Sequence, residues 1–282
     1  MSGVLNNGSS TSQINFRGKE DLGGGLAADF RIETDWNTVS NNGNAGVAKA
    51  DGTVAAASTF GNGEIRGGIA GGFGRIDAGA VNSAQLTAFL AGQPYGTAIG
   101  GGFRSVYIND AISAVSASAV RYDNSIRYTT PTVAGFSGTL YNVIKSTKAT
   151  VNNFSTTFGA YDYAGVSEYS LNYNQGPLNV TYANTKQDRN GVGVSAVGAY
   201  ATGTTATTYT TTDSTLSYTN KTIGANYDLG NGLKLMGLSQ KVTTSSGSVN
   251  RSASSLAATY TTGANVFSAL SGSGKDNGTG NT

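Results

Sequence analysis

Large apolar side chains occupy every second position on both arms of INFRGKEDLGGGLAADFRIE, residues 14–33, and this period of two recurs along the chain in place of any long apolar run. Ile14 and Phe16 alternate with Asn15 and Arg17. After a glycine-rich bend, Leu26, Ala28, Phe30 and Ile32 alternate with Ala27, Asp29, Arg31 and Glu33. Successive side chains of a strand point to opposite faces, so the segment predicts a β-hairpin with one oily and one charged face, turned by the polar and glycine residues 19–25. Strands buried on both faces need continuous apolar runs and amphipathic helices need an apolar stripe; apolar residues dispersed singly supply neither. No window approaches the roughly 18 apolar residues of a membrane helix.

The same unit recurs. EIRGGIA and RIDAGAV flank GGFG and set Ile65, Ile69, Ile76 and Ala78 against Glu64, Arg66, Arg75 and Asp77. RYDNSIRYTTPTVAGFSGTLYNV puts Ile126, Tyr128, Phe136 and Leu140 on one face and turns at PTVAG. SEYSLNYNQGPLNVTYANT aligns Tyr169, Leu171, Tyr173, Leu178, Val180 and Tyr182, while KTIGANYDLGNGLKLMGLSQKV and SLAATYTTGANVFSAL supply two further hairpins. Residues 35–62, 81–119, 145–166 and 186–215 read as loops, and 272–282 as the start of another. The expected fold is all-β and antiparallel, one domain over residues 1–282. Short turns alternate with long loops, the arrangement of a transmembrane β-barrel with short periplasmic turns and long external loops. Lipid wets one face of such a wall, and the backbone is satisfied between strands. Tyr122, Tyr128, Tyr141, Tyr169, Tyr173, Tyr218, Tyr227 and Tyr260 stand near strand ends, as barrel girdles do, although tyrosine also favours strands in general.

Charge and composition exclude other classes. Only 12% of residues are charged, against about 25% in a soluble domain. The 18 basic and 16 acidic residues leave a net charge of +2 with no basic run, so a nucleic-acid partner has no electrostatic footprint. The chain has neither cysteine nor histidine, which removes disulfides, thiolate sites and imidazole chemistry. The carboxylates form no catalytic constellation, so neither an enzyme nor a cofactor is expected. Residues 23–28, GGGLAA, imitate a dinucleotide-binding fingerprint, but a strand period follows where a helix is required.

INFRGKEDLGGGLAADFRIE, GGIAGGFGRIDAGA and VRYDNSIRYTTPTVAGFSGTLYN resemble the general-diffusion porins of Gram-negative bacteria, especially the betaproteobacterial and neisserial branch. The resemblance implies a sixteen-stranded outer-membrane barrel. About twelve strands fall in this sequence, which reads as an internal piece with one strand expected before it and three after. It also implies a homotrimer in lipid and lipopolysaccharide, with residues 35–62 latching over a neighbouring subunit. The third external loop of the family folds inward, which maps onto residues 81–119. That loop contains the helix-forming stretch SAQLTAFLAG and, as its only charges, Arg104 and Asp110.

The function implied is passive diffusion of small hydrophilic solutes and ions through a water-filled pore. Opposed charges across a constriction set up a transverse field, and by alternation Arg17, Arg31, Arg66, Arg75 and Arg127 are the wall candidates, facing Asp110. Their excess over the loop acid predicts a weak anion preference. A second reading stays open, in which these arginines are ordinary wetted residues at strand ends. A competing class is a secreted or surface β-rich structural or adhesive protein without a pore, for which abundant Gly, Thr, Ser and Asn is also typical. A solenoid of that class would repeat every 20 to 30 residues or so, and the hairpin spacing here is uneven.

Overall fold

In the computed structural model the described residues are 12–35, 60–96, 121–143, 160–196, 209–245 and 250–276. They form one antiparallel sheet of twelve strands in simple sequence order. The strands are β1 (Gln13–Gly23), β2 (Leu26–Asp35), β3 (Ile65–Gly71), β4 (Gly74–Asn82), β5 (Arg121–Thr129), β6 (Phe136–Val143), β7 (Ala160–Gln175), β8 (Leu178–Ala196), β9 (Tyr209–Asp228), β10 (Leu233–Thr244), β11 (Asn250–Thr262) and β12 (Asn265–Asp276). A single helix, α1 (Ala84–Ala91), follows β4. Among the described residues β1 and β12 are not bonded to each other.

The two faces are sorted by chemistry, as the alternation predicts. Phe16, Phe30, Ile126 and Leu171 share the outer face and remain 50%, 47%, 41% and 55% exposed. Across strands Phe16 faces Ile32, Ile69 faces Ile76, Tyr128 faces Leu140 and Leu171 faces Tyr182. No second layer of protein covers them among the described residues, so these side chains meet the surroundings of the sheet. The inner face carries the ion-paired arginines and carboxylates, the small polar residues and α1, while Lys186, Lys221 and Lys241 stand on the other face of β8, β9 and β10.

Short turns close one end of every hairpin. Gly23 and Gly25 at the first turn have φ of 79° and 81°, and Gly232 at the fifth has 86°; only glycine adopts this left-handed region freely. Near this end the outer face carries Tyr128, Phe136, Tyr173, Tyr227 and Tyr260, with the rings of Phe136 and Tyr173 at 4.6 Å. Of the other expected girdle tyrosines, Tyr169 is on the outer face further along β7 and two turn inward. Tyr141 is buried on the inner face and donates to the Val81 carbonyl at 2.9 Å, and the Tyr122 ring rests on it at 6.1 Å. The bulge where β4 meets β5, between Gly79 and Val81, shifts the alternation there. The Tyr218 side chain lies outside the described residues.

Strands run further than the apolar pattern. Lys19, Glu20 and Asp21 belong to β1 and pair with Asp29, Ala28 and Ala27, leaving a turn much tighter than residues 19–25. β7 starts at Ala160, β8 runs to Ala196 and β9 starts at Tyr209, inside segments expected to be loops. β12 likewise continues to Asp276, within the expected loop 272–282. Residues 36–59, 97–119, 145–159, 197–208 and 277–282 of the expected loops lie outside the described residues. The physical reason for the overrun is that lipid contact sets the apolar alternation, whereas ladder hydrogen bonds do not need it. A crossing takes roughly 9–11 residues, and the 19 residues of β8 and 20 of β9 exceed that.

Candidate functional site

A run of cross-strand neighbours on the inner face organises the site. Arg17 faces Arg31 across β1 and β2, and Arg31 faces Arg66 across β2 and β3. One row over, Lys19 faces Asp29, Asp29 faces Gly68, Gly68 faces Asp77 and Asp77 faces Arg127. Period-two alternation on five consecutive strands thus collects charges that are far apart in sequence.

These charges form a lattice. Arg75 donates to Asp29 Oδ2 at 2.6 Å and to Asp77 Oδ1 at 2.8 Å. Arg66 donates to Asp29 at 2.6 Å and to Asp77 at 3.1 Å, and Arg127 donates to Asp77 Oδ2 at 2.9 Å. Asp77 is fully buried among three guanidinium groups. Arg31 joins Glu64 at 2.8 Å and is also paired with Glu33. Arg121 stands 3.6 Å from Glu33 and 3.8 Å from Asp35. Arg17 is exposed and has no ion pair among the described residues. Arg31, Arg66, Arg75 and Arg127 are therefore brought together as a group, Arg17 stands beside them, and Arg104 and Asp110 lie outside the described residues. An arginine held by two carboxylates keeps one orientation and one side of its guanidinium for water or solute.

The chain leaves the wall at Val81, and wall side chains capture its backbone as it goes. The Val81 amide donates to Ser125 Oγ at 3.1 Å and its carbonyl accepts from Tyr141. The Asn82 amide donates to Glu64 Oε1 at 3.1 Å, and the Asn82 carbonyl accepts from Arg127 at 3.0 Å. Ser83 caps α1 by accepting from the Leu86 amide at 3.3 Å. The Ala84 amide donates to the carboxylate of Glu168 on β7, which also accepts from the Thr185 hydroxyl of β8.

Helix α1 then crosses the inner face over β7 to β10. Ala84 and Ala88 rest on Ala183, and Leu86 and Phe89 on Leu238 and Ala253. Gln85 donates to the Asn220 carbonyl at 2.9 Å, and Asn226 donates to the Ala91 carbonyl at 2.9 Å. Gly224 permits the close approach, because a Cβ there would overlap the Ala88 carbonyl oxygen. Beyond the helix, the Tyr95 hydroxyl reaches the Ser268 carbonyl of β12 at 3.0 Å. Residues 81–96 thus span the interior from β4 to β12, with Thr87 and Leu90 on the uncovered side of the helix.

Sequence reasoning places the helix correctly in SAQLTAFLAG but misses Arg121, Glu168 and the apolar inner residues beneath α1. A signal for Glu168 exists: it is the single acid among the inner positions Glu168, Ser170 and Asn172, opposite Tyr169 and Leu171 by alternation. Nothing comparable marks Leu238 and Ala253, whose partner α1 is remote in sequence.

Comparison with known proteins accords with this architecture. The profile of the Gram-negative porin family matches residues 2–282. The chain is 32% identical over 179 residues to an outer membrane porin protein of Bordetella pertussis, an alignment covering 63% of this chain and 42% of that protein. It is 31% identical over 135 residues to the major outer membrane protein P.IB of Neisseria gonorrhoeae, covering 46% of this chain and 31% of that one. The aligned part is thus less than half the length of either curated relative. Among solved structures, the anion-selective porin from Comamonas acidovorans superposes with a TM-score of 0.69 at 22% identity, over 96% of this chain and 70% of that one; at such identity the likeness is one of fold. Sorted faces, short turns at one end, an interior-crossing helix and a profile match over nearly the whole length converge: the chain belongs to the Gram-negative porin family, as an outer-membrane β-barrel protein.

Proposed function

We propose that this chain walls a water-filled pore through which small hydrophilic solutes and ions cross the outer membrane by diffusion. One observation carries the reading: the charged lattice of β2 to β5 and helix α1 occupy the same face, while the opposite face is apolar and uncovered. Lipid takes the apolar face, and water takes the other. The segment from Val81 to Gly96 narrows the interior, and Arg17, Arg31, Arg66, Arg75 and Arg127 line what is left. No chemistry on the solute is involved, since porins are channels rather than enzymes. This arrangement favours a pore over the adhesive or structural alternative, which needs no segment crossing the interior.

The preference is weakly anionic. Arg31, Arg66, Arg75 and Arg127 are largely offset by Asp29, Glu33, Glu64 and Asp77, and Arg17 supplies the uncompensated charge. The Comamonas porin is described as anion-selective, which supports the sign. The assembly is a homotrimer set in lipid and lipopolysaccharide, with residues 35–62 as the contact to the neighbour; those between 36 and 59 lie outside the described residues. Planar-bilayer recording of the full-length protein under a salt gradient tests the pore. Absence of step conductances refutes it, a cation-favouring reversal potential refutes the selectivity, and a monomer in mild detergent refutes the trimer.

A further inference from the structure

Glu168 is a carboxylate that ion transport does not explain. It is buried on β7 at 3% exposure, next in register to Tyr141 on one side and Thr185 on the other, and it makes no salt bridge among the described residues. A buried carboxylate is costly unless hydrogen bonds replace its water. Its partners are the Thr185 hydroxyl and the first amide of α1, that of Ala84. The first N–H groups of a helix have no acceptor within the helix, and negative charge is favoured at that end. The Ser83 hydroxyl serves the Leu86 amide, and Glu168 serves that of Ala84. Other ties of α1 to the wall include the Gln85 side chain, the Asn226 side chain and the apolar contacts beneath the helix.

We propose that Glu168 is a positioning residue: it seats the N-terminus of α1 on the wall and thereby fixes how far the inward segment intrudes on the pore. The second half of the statement rests on the pore reading above; the first half does not. Ala183 provides a separate gauge, being fully buried on β8 beneath Ala84 and Ala88, in a chain with no native cysteine. An A183C thiol is covered while α1 is seated and open to a water-soluble thiol reagent when it lifts.

The experiment compares A183C alone with A183C combined with E168A, E168T or E168Q, in the full-length protein purified from outer membranes. Loss of hydrogen bonds to a charged acceptor raises the unseated population, and with it the labelling rate, by about tenfold or more in E168A. E168T places on this position the residue type that Thr181 and Thr222 already contribute to the inner face, so it gives the same increase and serves where E168A fails to assemble. E168Q keeps an amide oxygen for Ala84 and restores shielding, an outcome that simple loss of packing volume does not produce. Labelling as slow in E168A and E168T as in the parent, with both proteins assembled, overturns the proposal. Fast labelling with an unchanged single-channel current leaves Glu168 as the seat of α1 but removes the narrowing role assigned to the helix.

Discussion

Arg127 donates to Asp77 across β4 and β5 at 2.9 Å, and the carboxylate that receives it is wholly enclosed. The same Asp77 oxygens hold Arg66 and Arg75, so one acid sets the orientation of three of the five wall arginines. Replacing it with alanine leaves the partly buried Arg127 without its carboxylate and Arg66 and Arg75 sharing Asp29, and breaking such a buried pair costs about 3–5 kcal/mol. D77A should therefore unfold at markedly lower urea concentration in lipid vesicles. D77N, which keeps volume and removes charge, should shift the zero-current potential further toward anions.

Arg17 is the one of the five wall arginines with no ion pair among the described residues. R17A is expected to lower anion preference while leaving stability within about 0.5 kcal/mol, as for an exposed side chain. The effect should fade in concentrated salt, because the screening length falls from about 10 Å at 0.1 M to about 3 Å at 1 M. Reversal potentials at two salt concentrations check both statements.

Gly224 and the Ala88 carbonyl are in contact without room for a methyl group. G224A should push α1 away from β9, reduce single-channel current and destabilise by about 1–3 kcal/mol, the usual cost of overpacking. Gly67 on β3 has open space around its Cα, so G67A is the matched control and should leave the current unchanged.

Leu256 lies on the outer face of β11 and is 75% exposed. A charge there must sit in hydrocarbon, so L256K should cost about 2–4 kcal/mol near the bilayer midplane. L256A should cost far less, since lipid fills the space that a missing side chain leaves. Folding equilibria of the two variants in vesicles separate the cases, and equal costs would show that this face is not lipid-exposed.

Much of the wall was legible because lipid imposes a rule on every second residue. Phe16, Phe30, Ile69 and Leu171 announce the outer face, and Arg31, Arg66, Arg75 and Asp77 fall on the inner one by the same count. Strand ends were not legible in the polar stretches of β7, β8 and β9, where ladder hydrogen bonds continue without any apolar requirement. Tyr141 falls on the inner face by the same count, opposite Arg127 and Glu168, whereas the apolar patch at Leu238 and Ala253 was hidden because it is dictated by α1, and pairing so distant leaves no periodic trace. Likewise the arginines were identifiable as a set, but their counter-ions depend on the register between strands.

Because α1 cloaks the wall from β7 to β10 and the ion lattice occupies β2 to β5, the proposed passage is off-centre, running along one flank. Calibre and electrical character then reside on opposite flanks joined at Asn82, whose backbone Glu64 and Arg127 of the lattice hold.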